Sequence, residues 1–220
     1  MSRSLREELR ELYENGHLKL PEDVLKVMSE GALELVESGM RAHALSVGAA
    51  APRFTLPTAS GRTAALDDLL AEGPVVLTFY RGAWCPYCNL ALRALQRHLD
   101  AFTARGARLV AISPQIPDES LALSERESLG FDVLSDIGSE VAERFGIAFD
   151  LSADLGALYD RLGFDLQRVN DGHARTLPLP ATYVIDREGV IRWAFVETDY
   201  TVRAEPADIL AALDGLGGAE

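Results

Sequence analysis

Apolar positions recur along this chain with two periods, and each change of period marks an element. Near the start, Leu5, Leu9 and Leu12 share one helical face, and Asn15-Gly16 stops the pattern. Pro21 opens a second helical stretch, with Glu22 and Asp23 in its first turn. Val24, Val27, Met28, Leu35 and Val36 are its apolar positions, and Ser38-Gly39 ends it. Residues 1–45 therefore read as a helical arm. The arm is either a packing layer on the rest of the chain or a reach towards a second copy in a homodimer.

From residue 46 to 220 the pattern is that of one further domain. "VGAAAPRFTLPTASGRTAAL" predicts a small hairpin about Ser60-Gly61, leading to a helix near Asp67–Ala71. "PVVLTFYR" is a continuous apolar, β-branched and aromatic run, which is how a central strand covered on both faces reads. From Cys85 to Phe102 the period turns helical, with Cys88, Leu92, Leu95 and Leu99 on one face. "ARLVAISP" predicts a strand, Asp118–Leu129 a helix, "FDVLSD" a strand, Ser139–Phe145 a short helix and Ala153–Leu162 another. Residues 163–180 read as a long irregular loop. "ATYVID" and "VIRWAFVE", joined by Arg187-Glu188-Gly189, form a hairpin, and Pro206 to Leu216 a closing helix. Strands that alternate with helices and end in a hairpin predict an α/β fold, a mixed central sheet with helices on both faces.

Composition narrows the chemistry. Lys and Arg number 21 against 34 Asp and Glu, a net charge of -13, which argues against nucleic acid and anionic membranes as partners. "MSRSLREELRELYENG" has no apolar signal core, and no apolar run approaches the ~18 residues of a membrane span. The expected location is cytoplasmic. In a reducing compartment the two cysteines, Cys85 and Cys88, point to catalysis or metal binding before a structural bridge. A structural zinc site wants four Cys or His ligands, and no His lies in the motif. No dinucleotide fingerprint or phosphate loop appears, so no organic cofactor is expected.

Cys85 stands where a strand ends and a helix begins. Free backbone N–H groups and the positive end of the helix dipole there lower a thiol's pKa, from about 8.5 towards ~3.5–7.5. Cys88 lies one turn on, with its sulfur on the same side. It can attack a sulfenic acid or mixed disulfide on Cys85 and close an internal disulfide. Pro86 suits the first helical position. Arg81 either adds positive charge to the site or is a solvated loop residue. Trp84 and Tyr87 shape its rim or simply pack, and Arg93 and Arg97 read as a solvated face. His98 is 13 residues along the same helix from Cys85, ~20 Å at about 1.5 Å per residue. His17 and His43 fall in the arm, and His173 is a loop residue able to fold back. Pro180 precedes a strand, a position Pro tolerates, and its peptide bond is a candidate for the cis form.

"VGAAAPRFTLP", "VVLTFYRGAWCPYCNLALRAL", "RLVAISPQ", "FDVLSDIGSEVAERFGI" and "LPATYVIDREGVIRWAFV" occur in one order over about residues 47–213. In these the chain resembles the thioredoxin-fold superfamily and, more closely, its alkyl hydroperoxide reductase/thiol-specific antioxidant branch, the peroxiredoxin-like proteins. The resemblance implies a three-layer fold on a sheet of four or five strands. It implies Cys85 as the peroxidatic cysteine, Cys88 as its resolving partner and Pro180 as a cis-Pro facing them. Two features depart from the peroxidase pattern. Thr78 and Gly82 stand where the family motif has Pro and Thr, and Pro180 occupies the place of an Arg. The resemblance implies a thiol peroxidase acting on hydrogen peroxide or organic hydroperoxides, recycled by a thioredoxin- or glutathione-type donor. WCPYC equally suits a protein thiol–disulfide oxidoreductase, and a non-enzymatic redox-sensing module is the third reading.

Overall fold

The run that reads as a doubly covered strand, β3 (Val75–Phe79), is the middle strand of a five-stranded sheet, and all its residues are buried. The computed structural model describes residues 3–173 and 175–216. The sheet order is β5-β4-β3-β8-β9. β3 pairs in parallel with β4 (Arg108–Ser113), which pairs in parallel with β5 (Asp132–Ser135). On its other side β3 runs antiparallel to β8 (Ala181–Ile185), which forms the expected hairpin with β9 (Ile191–Val196). The sheet is mixed because parallel strands need helical crossovers whereas the last two need only a turn.

Side chains alternate along each strand, so the sheet separates two cores. Val75, Leu77 and Phe79 enter a dry cluster with Phe145, Tyr183 and α3 (Leu66–Glu72). Val76 and Tyr80 enter the opposite cluster, with α4 (Pro86–Arg97) and both cysteines. α5 (Leu99–Thr103), α6 (Pro117–Glu127) and α10 (Pro206–Leu216) complete that layer, while α7 (Glu140–Arg144) lies on the dry side. The small hairpin is present as β1 (Thr55–Pro57) and β2 (Thr63–Ala65).

The arm lies on its own chain. α1 (Leu5–Asn15) starts with a capping box, in which the Ser4 hydroxyl accepts from the Glu7 N–H and the Glu7 carboxylate accepts from the Ser4 N–H. Leu5 and Leu9 are buried against the α4 layer, each burial stabilising by roughly 2–3 kcal/mol. Glu8 pairs with Arg97 at 2.8 Å, and Arg93 pairs with Glu127 at 2.9 Å. α2 (Glu22–Glu37) packs on α8 (Ala153–Arg161). Val36, an expected apolar position, is 59% exposed, because α2 covers its neighbours only along one stripe.

Three expectations need correction. The single helical stretch from Cys85 to Phe102 is two helices, broken at His98, whose ring Nδ1 meets the Ala94 carbonyl at 2.8 Å. The loop at 163–180 contains α9 (Leu166–Val169) and β7 (Thr176–Pro178). β7 pairs with β6 (Ala148–Asp150), a strand too short to show a period. The peptide bond before Pro180 is trans, as are all others among the described residues. No helix among those residues is long and apolar enough to cross a membrane.

Candidate active site

The strand β3 delivers the chain into a short loop, Tyr80 to Trp84, before α4 begins. Gly82 turns the backbone there with φ 149°, and a Cβ at that position would lie 2.4 Å from Trp84 Nε1. Only glycine fits both demands. Gln115, just beyond β4, fixes the loop by accepting from the Ala83 N–H at 2.6 Å. Asn89 donates to the Ala83 carbonyl at 3.0 Å. Cys85 is the N-cap residue of α4, and Pro86 follows it at the first helical position.

Both cysteines are free and buried, Cys85 at 2% and Cys88 at 0% exposure. Their sulfurs lie within hydrogen-bonding reach of each other. The sequence missed a third partner. Arg203, between β9 and α10, donates from Nη2 to Cys88 Sγ at 3.0 Å and lies 3.9 Å from Cys85 Sγ. Carbonyls of Tyr200 and Val202 hold its Nη1 at 2.6 and 2.7 Å. No motif announces Arg203, because it is 115 residues from Cys88 and only the path of β9 brings it back.

The pair shares one negative charge easily and a second only with difficulty. Burial opposes ionisation of Cys88. The Cys85 S–H, the Arg203 guanidinium and the Arg81 backbone N–H outweigh it and hold Cys88 well below the usual thiol range. Burial, together with that ionised neighbour, pushes Cys85 well above it. The sequence placed the lowered pKa on Cys85. This arrangement favours charge on Cys88, which accepts from Arg203 at 3.0 Å, while the Cys85 side chain makes no hydrogen bond to the free N–H groups of α4. Proton transfer across the sulfur–sulfur contact would move that charge to Cys85.

Arg81 is not a solvated loop residue: it is 3% exposed. Its Nη2 donates to the Tyr159 hydroxyl. Its guanidinium lies over Trp84 at 4.9 Å, Tyr159 at 5.4 Å and Tyr200 at 4.8 Å, ring faces that suit a desolvated cation. Burial acts against the charge, but Tyr159 and the two cysteines keep it firmly protonated. Tyr87 is 4% exposed, and burial raises its hydroxyl pKa to about 12. Pro180, with its trans peptide bond, shares the wall of a small crevice with Arg81, Tyr159 and Tyr200. His173 is exposed and sits beside Gly138, away from this cluster. His17 meets Tyr200, its Nδ1 3.2 Å from the hydroxyl.

The model of the AhpC/TSA family matches residues 47–194, which include β3, the CxxC turn, β8 and the first part of β9. The chain belongs to the AhpC/TSA family. Among curated members, Peroxiredoxin Bcp of Escherichia coli strain K12 is 32% identical over 116 residues, 53% of this chain and 73% of that protein. The chloroplastic Peroxiredoxin Q of Populus jackii is 30% identical over 145 residues, 66% of this chain and 57% of the relative, so the match spans less than two thirds of the poplar protein. Peroxidoxin BcpB from Mycobacterium tuberculosis has the same fold, with a TM-score of 0.62 at 23% identity over 78% of this chain and 98% of that one. Both the arm and Arg203 lie outside the span that matches the family model.

Proposed function

We propose that this chain is a thiol-dependent peroxidase that reduces hydrogen peroxide or organic hydroperoxides through Cys85 and Cys88. The observation that carries this reading is the buried pair of free cysteines at the start of α4, with Arg203 donating to Cys88 Sγ at 3.0 Å. The named peroxiredoxin relatives support it.

The steps balance within the pair. Cys88 thiolate takes the proton of Cys85, and the Cys85 thiolate attacks the nearer oxygen of R–O–O–H. The O–O bond breaks, Cys85 becomes a sulfenic acid, and the leaving alkoxide takes the proton from Cys88 to depart as R–OH. Cys88 thiolate then attacks the sulfenic sulfur, a solvent proton leaves with the hydroxide as water, and a Cys85–Cys88 disulfide forms. Arg203 stabilises the thiolate throughout and, with Arg81, stands where charge develops on the leaving oxygen. Buried Arg81 and half-buried Arg203 thus supply positive charge in a motif with Gly82 and Pro180 in place of the usual Thr and Arg. A thioredoxin- or glutathione-type donor returns the disulfide to the dithiol. The site works in the cytoplasm in this reading.

Stopped-flow mixing of reduced protein with hydrogen peroxide, followed by Trp84 and Trp193 fluorescence, tests the proposal. Mass spectrometry then identifies the Cys85–Cys88 disulfide. Oxidation at the rate of a free thiol would sink the peroxidase reading. Direct contact of two sulfurs also suits disulfide exchange, so turnover of protein disulfides in place of peroxide would favour the oxidoreductase alternative.

A further inference from the structure

Beside the sulfur pair is a cavity of about 610 Å³ that the peroxide chemistry does not need. Its size falls in the ~300–1,000 Å³ range of small-molecule sites. Hydrogen peroxide is scarcely larger than water, whose share of liquid volume is about 30 Å³. One wall is the arm, with Arg6, Leu9, Arg10 and Tyr13 from α1 and Met28 and Ala32 from α2. The other is the segment from Phe195 to Asp208. Every residue of both walls lies outside the span 47–194 that matches the family model.

The lining defines what fits. Arg203 belongs both to the cavity wall and to the sulfur pair, so a ligand in the cavity lies one side chain from Cys88. Arg6 and Arg10, the latter 3.8 Å from Glu14, stand one turn apart on α1, and Asp199 and Asp208 stand with Arg203 on the facing segment, so the cavity offers charges of both signs. Glu205 is already engaged, accepting from the Arg6 backbone N–H at 2.5 Å and so tying the two walls together. The Tyr87 hydroxyl, buried and without a partner among the described residues, is near enough to Tyr13 and Asp199 to feel both. Both sulfurs are buried, at 2% and 0% exposure, in a cluster that includes Leu5 and Leu9 of the arm, which works against a folded protein donor, whose thiol must reach them from outside.

We propose that this cavity is the binding site of the reductant, a low-molecular-weight peptide thiol bearing both carboxylate and ammonium groups. The proposal rests on the redox-active pair read above. Its carboxylate end lies towards Arg6 and Arg10 and its ammonium towards Asp199 and Asp208. The donor thiolate attacks Cys85 of the disulfide, the S–S bond breaks, and Cys88 leaves as a thiolate onto Arg203. A second donor thiol attacks the mixed disulfide and leaves with the first as the donor disulfide. Two donor thiols are oxidised, and Cys85 and Cys88 regain the two protons.

The test starts from full-length protein oxidised to the Cys85–Cys88 disulfide with diamide, so no peroxide step enters. Reduction is followed with glutathione, with 2-mercaptoethanol, which lacks the charged groups, and with thioredoxin kept reduced by its reductase. Glutathione is expected to saturate and to exceed 2-mercaptoethanol about tenfold or more at equal thiolate concentration. The double variant Arg6→Glu/Arg10→Glu is expected to lose that advantage, while 2-mercaptoethanol reduces it within about twofold of the parent rate. Ala32→Trp, which fills the cavity, should behave in the same way. Equal rates for the two small thiols, an undiminished glutathione advantage in both variants, or faster reduction by thioredoxin at equal concentration would each overturn the proposal. Failure of the peroxidase reading is seen separately, in the oxidation experiment.

Discussion

The two faces of the central sheet are built from the same strands and do different things. On one face Phe79, Phe145 and Tyr183 pack ring against ring, with centroids 5.0 to 6.3 Å apart, in a cluster lined by aliphatic residues. On the other, Val76 and Tyr80 lead to a cluster that holds both sulfurs and borders buried Arg81. Arg81 Nε and the Tyr87 hydroxyl find no partner there among the described residues. In the dry cluster the Tyr183 hydroxyl alone is in that condition, so apolar packing dominates there, while several unpartnered polar groups raise the energy of the other face. The comparison teaches that stability is concentrated on the dry face and reactivity on the other, with β3 as the shared wall.

That division can be broken experimentally. The largest expected effect is on chemistry alone. Cys85→Ser should abolish fast oxidation by peroxide, a loss of about a thousandfold or more, equal to roughly 4 kcal/mol. Its urea midpoint should change little, and a large drop would show that the sulfur face also carries stability.

Next is the dry face. Phe145→Ala should destabilise by about 3–5 kcal/mol in urea titration, because the closed cluster cannot collapse around the void. The folded fraction should still react with peroxide at the parental rate. A matching loss of rate would mean that the two faces are coupled.

Arg203→Met sharpens the comparison on the reactive face. Loss of a charge-assisted bond of about 1.5–3 kcal/mol should slow oxidation roughly tenfold to a hundredfold. The sign of the pH effect follows from the lowered pKa of Cys88. In the parent, thiolate absorbance near 240 nm should persist well below the usual thiol range and vanish as pH falls through the lowered pKa. The variant should lose it at a pH higher by about one unit or more, each unit being 1.36 kcal/mol. An unchanged titration would remove Arg203 from the site.

The smallest effect concerns the arm. Ser4→Ala breaks the capping box of α1 and should cost about 1 kcal/mol, without altering oxidation by hydrogen peroxide. A loss well above that in a thermal melt would show that the arm holds more of the fold than its two buried leucines suggest.

The fold was legible because its strands are long enough to carry a period and its helices have punctuation. β3 and the β8–β9 hairpin stand where the apolar runs place them, and α10 spans Pro206–Leu216 as its sequence predicts. β6 and β7 were not legible, since three residues fit either period and their pairing depends on a partner 26 to 30 residues away. The break at His98 was hidden for a related reason, because Leu99 and Phe102 continue the apolar spacing through it.

The candidate site divides along the same line. Cys85, Cys88, Pro86 and Gly82 are local, and a strand-to-helix turn needs just those residue types. The sequence alone therefore determined where the redox pair sits, its spacing and the family to which the chain belongs. It could not determine which sulfur bears the charge. That depends on Arg203, on the burial of Arg81 beneath Tyr159 and Tyr200, and on the absence of a hydrogen bond from α4 to Cys85. The cavity between the arm and the segment 195–208 is likewise a product of tertiary structure. Local order follows from dihedral preferences and hydrophobic period, which neighbours in sequence set together. Ionisation follows from charge and dielectric within a few ångströms, and only the folded chain decides which residues come that close.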